Sequence, residues 1–387
     1  MESPRKFPFE IQFSVFAGAA LVYLVTLFVT PGENTFLLAL PLLCGFPLYF
    51  LVNRLGKSPR LLSEIITVMT VAGSIYTLFL LLRLLPVPDL PRLAEPYWRA
   101  ALYLDGDTRG ILFIILLLFN HLTWSFNIKN RLWLVRAPMS FLFFLAIIIL
   151  SSLRTWLLLP PALLLFLLLV PSPRRIRVII SFVPSLLAAF FITPVLGMAS
   201  SRGQLLDSAS WIIGGMVLSI VGSVFVSLIN RTSPYQKAFF FVVFFAFFIL
   251  FTSVYFYALL AFSTPPGEAS PDLIRIVPKS IVSYFQDTGI REGIPGLSGA
   301  RFWAAWLLGL PWIIFLKERF QEYKMEKEPQ HMTFSAGLLI AGGLLLLHAT
   351  YAPALLVGWP ALFSWALLGT KLHPPHEARL TPQENKS

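Results

Sequence analysis

The chain has 387 residues, of which 57% are hydrophobic and only 13% charged, with a formal net charge of +11. Its apolar residues come in blocks of 16 to 25 separated by short polar breaks. That pattern excludes a water-soluble domain with one buried core and fits helices that each cross a bilayer, since a span needs roughly 20 apolar residues. The single cysteine, Cys44, excludes an intramolecular disulfide framework and reads as a small packing residue inside an apolar run.

Twelve apolar runs are predicted, near 11–30, 35–53, 61–85, 109–126, 133–151, 155–171, 178–198, 210–230, 238–262, 302–316, 333–349 and 353–370. The fold class expected is an all-α integral membrane protein of about twelve transmembrane helices, with both termini cytoplasmic. Arg5 and Lys6 precede a first run too long for a signal-peptide core, so that run is expected to remain as an anchor. With the N-terminus inside, the inner segments hold 20 of the 30 Lys and Arg, while the outer segments hold ten, matched by ten acids. Basic loops resist translocation, so this segregation supports an even number of spans and a multi-pass protein of the cell inner (plasma) membrane. The positive charge then points to anionic lipid rather than to nucleic acid.

Between the second and third runs lies a basic hinge, Leu51-Val-Asn-Arg-Leu-Gly-Lys-Ser-Pro-Arg60. Its Leu-Val-Asn-Arg54 returns 177 residues later as Leu-Ile-Asn-Arg231, between the eighth and ninth runs. Long outer segments (86–108 and 263–301) follow the third run of each set of six, so the layout predicts two six-helix lobes, 1–171 and 178–370, and a cytoplasmic tail, 371–387. Parallel repeats of this kind occur in transporters.

The hinge resembles the loop between helices 2 and 3 of the major facilitator superfamily, whose pattern is G-x-x-x-D-R-x-G-R-R. Arg54 and Gly56 match it and Lys57 keeps the charge, whereas Tyr49, Asn53 and Ser58 depart from it. The resemblance implies a gating hinge at Asn53, Arg54, Gly56 and Lys57, repeated at Asn230 and Arg231.

Polar groups inside apolar runs are the next candidates, because burial in lipid is costly for them. Asn120 and His121, with Trp124 a turn later, lie in the fourth run and form the expected substrate-binding group. Adjacent residues of a helix point about 100° apart, so this pair cannot all face lipid. An interhelical hydrogen bond is the competing reading. In the eighth run, Gly215, Ser219, Ser223 and Ser227 recur every four residues, which predicts a close-packing face.

The outer segments carry Arg92, Arg99, Arg275, Arg291 and Arg301, and outer arginines can hold phosphate bidentately. In outline this is similar to envelope polymerases and ligases that act on polyprenyl-diphosphate glycans. Asp105-Gly-Asp107 is too short a match to assign a metal, and no cofactor is expected. The leading expectation is a secondary transporter or flippase for an apolar or amphipathic solute. The lipid-linked glycan enzyme is the alternative, and a non-catalytic subunit of a membrane complex is a third. Catalytic residues are not assignable. Cysteine labelling is expected to place residues 58, 130, 175, 235, 325 and 380 inside and 95, 205 and 280 outside; finding 280 and 325 on one side would contradict twelve spans.

Overall fold

The computed structural model describes residues 8–29, 35–55, 59–83, 106–126, 133–150, 153–201, 205–232, 300–349, 354–357 and 361–370. Among these residues the chain is almost entirely helical, with no strand. The first eight helices are α1 (Pro8–Val29), α2 (Thr35–Leu55), α3 (Pro59–Arg83), α4 (Gly106–Phe126), α5 (Trp133–Leu150), α6 (Leu153–Leu169), α7 (Ser172–Ser201) and α8 (Leu205–Thr232). After residues outside the described set, α9 (Ala300–Leu307), α10 (Leu310–Met325), α11 (Pro329–Ala349), α12 (Ala354–Val357) and α13 (Ala361–Leu368) complete it. Three apolar stretches, Ile11–Val29, Ser63–Leu81 and Pro329–Ala349, are long enough to cross a membrane.

Each of the first eight predicted runs coincides with one helix, four of them running one or two residues past its end; the ninth, 238–262, falls outside the described residues. The tenth run is broken in two, and the described parts of the twelfth are α12 and α13. The tenth stops at the Leu308–Gly309 turn, where Gly309 N–H donates to the Trp306 carbonyl at 2.9 Å and Pro311 follows within the first turn of α10. A proline at that place lacks an N–H that the helix start does not need. The helix then continues through Lys317, Glu318, Arg319, Glu322 and Lys324, which the sequence pattern assigns to a charged inner loop.

The described helices form two compact units, and their boundaries differ from the two halves expected from the repeat, 1–171 and 178–370. One unit joins residues 1–68 and 99–103 to residues 293–387, and the other comprises residues 69–98 and 104–292. The repeat was read from loop layout, which carries no information about which helices pack together. Side-chain fit decides that.

In the first unit, α2 packs against α13 through a glycine. A Cβ added at Gly45 would run into the Trp365 indole, and one at Gly369 would meet the Tyr49 carbonyl at 2.6 Å. Phe16 of α1 fills the space between them, 4.5 Å from the Trp365 ring and 5.4 Å from Tyr49, centroid to centroid. Gln12 Nε2 donates to the Leu368 carbonyl at 3.4 Å, a long bond tying α1 to the end of α13. Residues from opposite ends of the chain thus share one aromatic core.

In the second unit α5 is central: every described side chain from Arg136 to Leu150 except Met139 and Ile149 is buried, against α4, α7 and α8. A helix that is apolar on all sides belongs inside a bundle. The expected small-residue face of α8 is the packing face, since Gly215, Ser219 and Ser223 are buried. A Cβ at Gly215 would strike Phe141 of α5 and crowd Ile192 of α7. The opposite face carries Ile213, Val217, Val221 and Phe225, exposed by 61%, 53%, 57% and 62%, while Ser219 is at 0%. Small and polar residues inside with large apolar residues outside is the reverse of a water-soluble helix and suits an apolar solvent. Gly215→Leu is expected to lower stability by about 1–3 kcal/mol through overpacking, whereas Val217→Leu stays within about 0.5 kcal/mol. Thermal unfolding of the two variants in detergent checks the contrast.

Candidate functional site

The polar cluster of the second unit is built on the antiparallel pair α4 and α5. Asn120 lies six residues before the end of α4 and Ser140 seven residues after the start of α5. At 1.5 Å rise per residue both stand about 10 Å from the connecting end, so they meet at one level. Asn120 Nδ2 donates to Ser140 Oγ at 2.7 Å and to the Arg136 carbonyl at 2.9 Å. Ser140 Oγ also lies 3.3 Å from His121 Nε2. The two adjacent side chains of α4, pointing in different directions, straddle one hydroxyl of α5.

Pro138 sits inside α5, where it lacks the N–H that would bond the Leu134 carbonyl. Nearby carbonyls of the same turn take bonds from two neighbouring helices: Asn120 of α4 at Arg136, and Ser185 of α7 at Ala137, 3.0 Å away. His121 is further enclosed by Phe182 of α7, with ring centroids 3.7 Å apart. Phe144 of α5 and Phe166 of α6 stand edge-on to Phe182 at 5.9 and 6.4 Å.

The feature missed from sequence is Arg136. It reads there as one of several inner basic residues, yet in the structure it is only 7% exposed. Its Nη1 is buried without a hydrogen-bond partner, and among the described residues no carboxylate pairs with it. The guanidinium is close enough for its charge to act on the imidazole of His121. The level-matching of α4 and α5 about their short connection is the signal that brings Arg136 beside Asn120. Three residues separate Arg136 from the start of α5, one turn from Ser140.

A second buried arginine serves as a contrast. Arg319 of α10, in the first unit, is 2% exposed, and its Nη1 lies 2.6 Å from Glu322 Oε2. Glu318 acts on the same guanidinium, which also lies over the Phe315 ring at 5.3 Å. Arg319 is therefore balanced by carboxylates of its own helix, and Arg136 is not.

The other sequence-predicted residues are dispersed. Trp124 lies one turn beyond Asn120 on α4, with its side chain outside the described set. Asn53 is half-buried near the end of α2, its Oδ1 without a hydrogen-bond partner, and Arg54 beside it is exposed. Asn230 and Arg231 end α8 and Arg301 begins α9, all with side chains outside the described set. Gly56, Lys57, Arg92, Arg99, Arg275 and Arg291 lie outside the described residues altogether. The chain matches no protein-family model, no curated protein and no solved structure.

Asn120→Ala and Ser140→Ala are expected to be non-additive. A double-mutant cycle on thermal stability in detergent is expected to give coupling of about 0.5–1.5 kcal/mol. Strict additivity would remove the bond between α4 and α5.

Proposed function

We propose that the chain is a multi-pass inner-membrane transporter or flippase for an apolar or amphipathic solute, which binds at Asn120, His121 and the neighbouring Arg136. The observation that carries this reading is the buried polar cluster on α4 and α5. Polar and ionisable groups in such a setting are costly and commonly mark a substrate path. Asn120 is tied to α5 and acts as a positioning residue, while Arg136, beside His121, is assigned the contact with the solute.

The twelve-span layout with both termini cytoplasmic is part of the same proposal, supported by the segregation of basic residues and by the apolar outer face of α8. The α2–α3 hinge at Asn53, Arg54, Gly56 and Lys57 is assigned the gating role, in keeping with its resemblance to the major facilitator superfamily. Membrane lipid is the surrounding partner.

Reconstituted proteoliposomes test the proposal through the dithionite accessibility of a fluorescent phospholipid. The wild-type chain is expected to speed its exchange between leaflets over empty vesicles, and His121→Leu to slow it about tenfold or more. Arg291→Ala is expected to stay near wild type, because this reading gives the outer segments no part in binding. Exchange no faster than in empty vesicles, together with loss of envelope glycan in an Arg291→Ala strain, would favour the lipid-linked glycan enzyme instead.

A further inference from the structure

Resting on that reading of an amphipathic solute, we infer that its head is anionic, a phosphate or carboxylate bound by Arg136. Arg136 has a buried Nη1 with no acceptor, and no described carboxylate pairs with it. A buried cation without a counter-charge costs several kcal/mol, and neither Asn120, Ser140 nor His121 can supply a negative charge. An anion restores the balance, and the planar guanidinium suits a two-oxygen head.

The surroundings exclude other classes. A cationic head would meet the guanidinium charge. A neutral head would leave that charge uncompensated. The apolar tail is carried over from the proposed amphipathic solute, since Phe182, Phe144 and Phe166 are buried against His121 and one another. Arg319 differs in charge balance rather than in hydrogen bonding: Glu322 lies 2.6 Å from its Nη1, although its Nε and Nη1 also lack a hydrogen-bond partner.

Calorimetric titration of the purified full chain, in a non-ionic detergent, with dodecyl phosphate, dodecyltrimethylammonium and inorganic phosphate tests the inference. Dodecyl phosphate is expected to bind saturably and the cationic amphiphile not to compete. Arg136→Gln is expected to weaken dodecyl phosphate about tenfold or more, and Arg136→Lys less than Arg136→Gln. Equal binding of both amphiphiles, or unchanged affinity in a folded Arg136→Gln chain, would overturn it. If Arg136→Gln does not fold, the comparison of the two amphiphiles on the wild-type chain decides alone.

Inorganic phosphate binding as tightly as dodecyl phosphate would overturn the amphipathic solute on which the inference rests. Competition by phosphatidylglycerol would assign the head to a membrane lipid, and its absence to a single-chain amphiphile. Binding without movement across proteoliposomes would keep the anionic site and remove the transport reading. Movement of both amphiphiles, undiminished in Arg136→Gln, would do the opposite.

Discussion

One amide holds the second unit in register. Asn120 directs its Nδ2 hydrogens to two acceptors on α5, the Ser140 hydroxyl and the Arg136 carbonyl. Without water to compete, such a bond between helices contributes roughly 0.6 kcal/mol and up to nearly 2 kcal/mol, but its directional role is larger than its energy. It fixes the rotation of α5 about its own axis. That rotation places Pro138 between two neighbours that bond to its turn and turns Arg136 away from any described carboxylate.

Everything around this contact follows from packing in an apolar surrounding. Where lipid replaces water, burying large apolar side chains between helices gains little, and close backbone approach takes over. Gly215, Ser219 and Ser223 let α8 lie on α5 and α7, while Ile213, Val217, Val221 and Phe225 face outward. In the first unit Gly45 and Gly369 do the same for α2 and α13, with Trp365 seated where a Cβ would otherwise stand. The buried face of these helices is small; the exposed face is large. Charges then become the exceptions that need an explanation, and Arg319 and Arg136 receive different ones.

Helix existence was legible because a run of apolar residues is a local property. Eight of the runs each coincide with a single helix whose ends fall within six residues of the expected ones. The small face of α8 was legible too, since a spacing of four is read directly from Gly215, Ser219 and Ser223. The break at Gly309 was not, because hydropathy continues across the turn that precedes Pro311. Pairing of the chain ends was hidden for a different reason. Contacts such as Phe16 with Trp365 join positions far apart in sequence, and hydropathy carries no trace of them. Asn120 and His121 stood out as polar residues in an apolar run, whereas Arg136 was masked by the basic residues near it; only the geometry of the α4–α5 pair separates it from them.

The meeting of Asn120 and Ser140 is the point on which the site, its arginine and the proposed solute all rest. Oxidative cross-linking measures it directly. In a Cys44→Ser chain carrying Asn120→Cys and Ser140→Cys, with a protease site placed within residues 127–132, copper phenanthroline is expected to join α4 to α5 in native membranes. The two fragments then stay together after cleavage and separate on reduction. Asn120→Cys paired with Val221→Cys, on the outward face of α8, is expected not to cross-link. Fragments that part as readily in the first pair as in the second would contradict the shared level of Asn120 and Ser140 and, with it, the placement of Arg136.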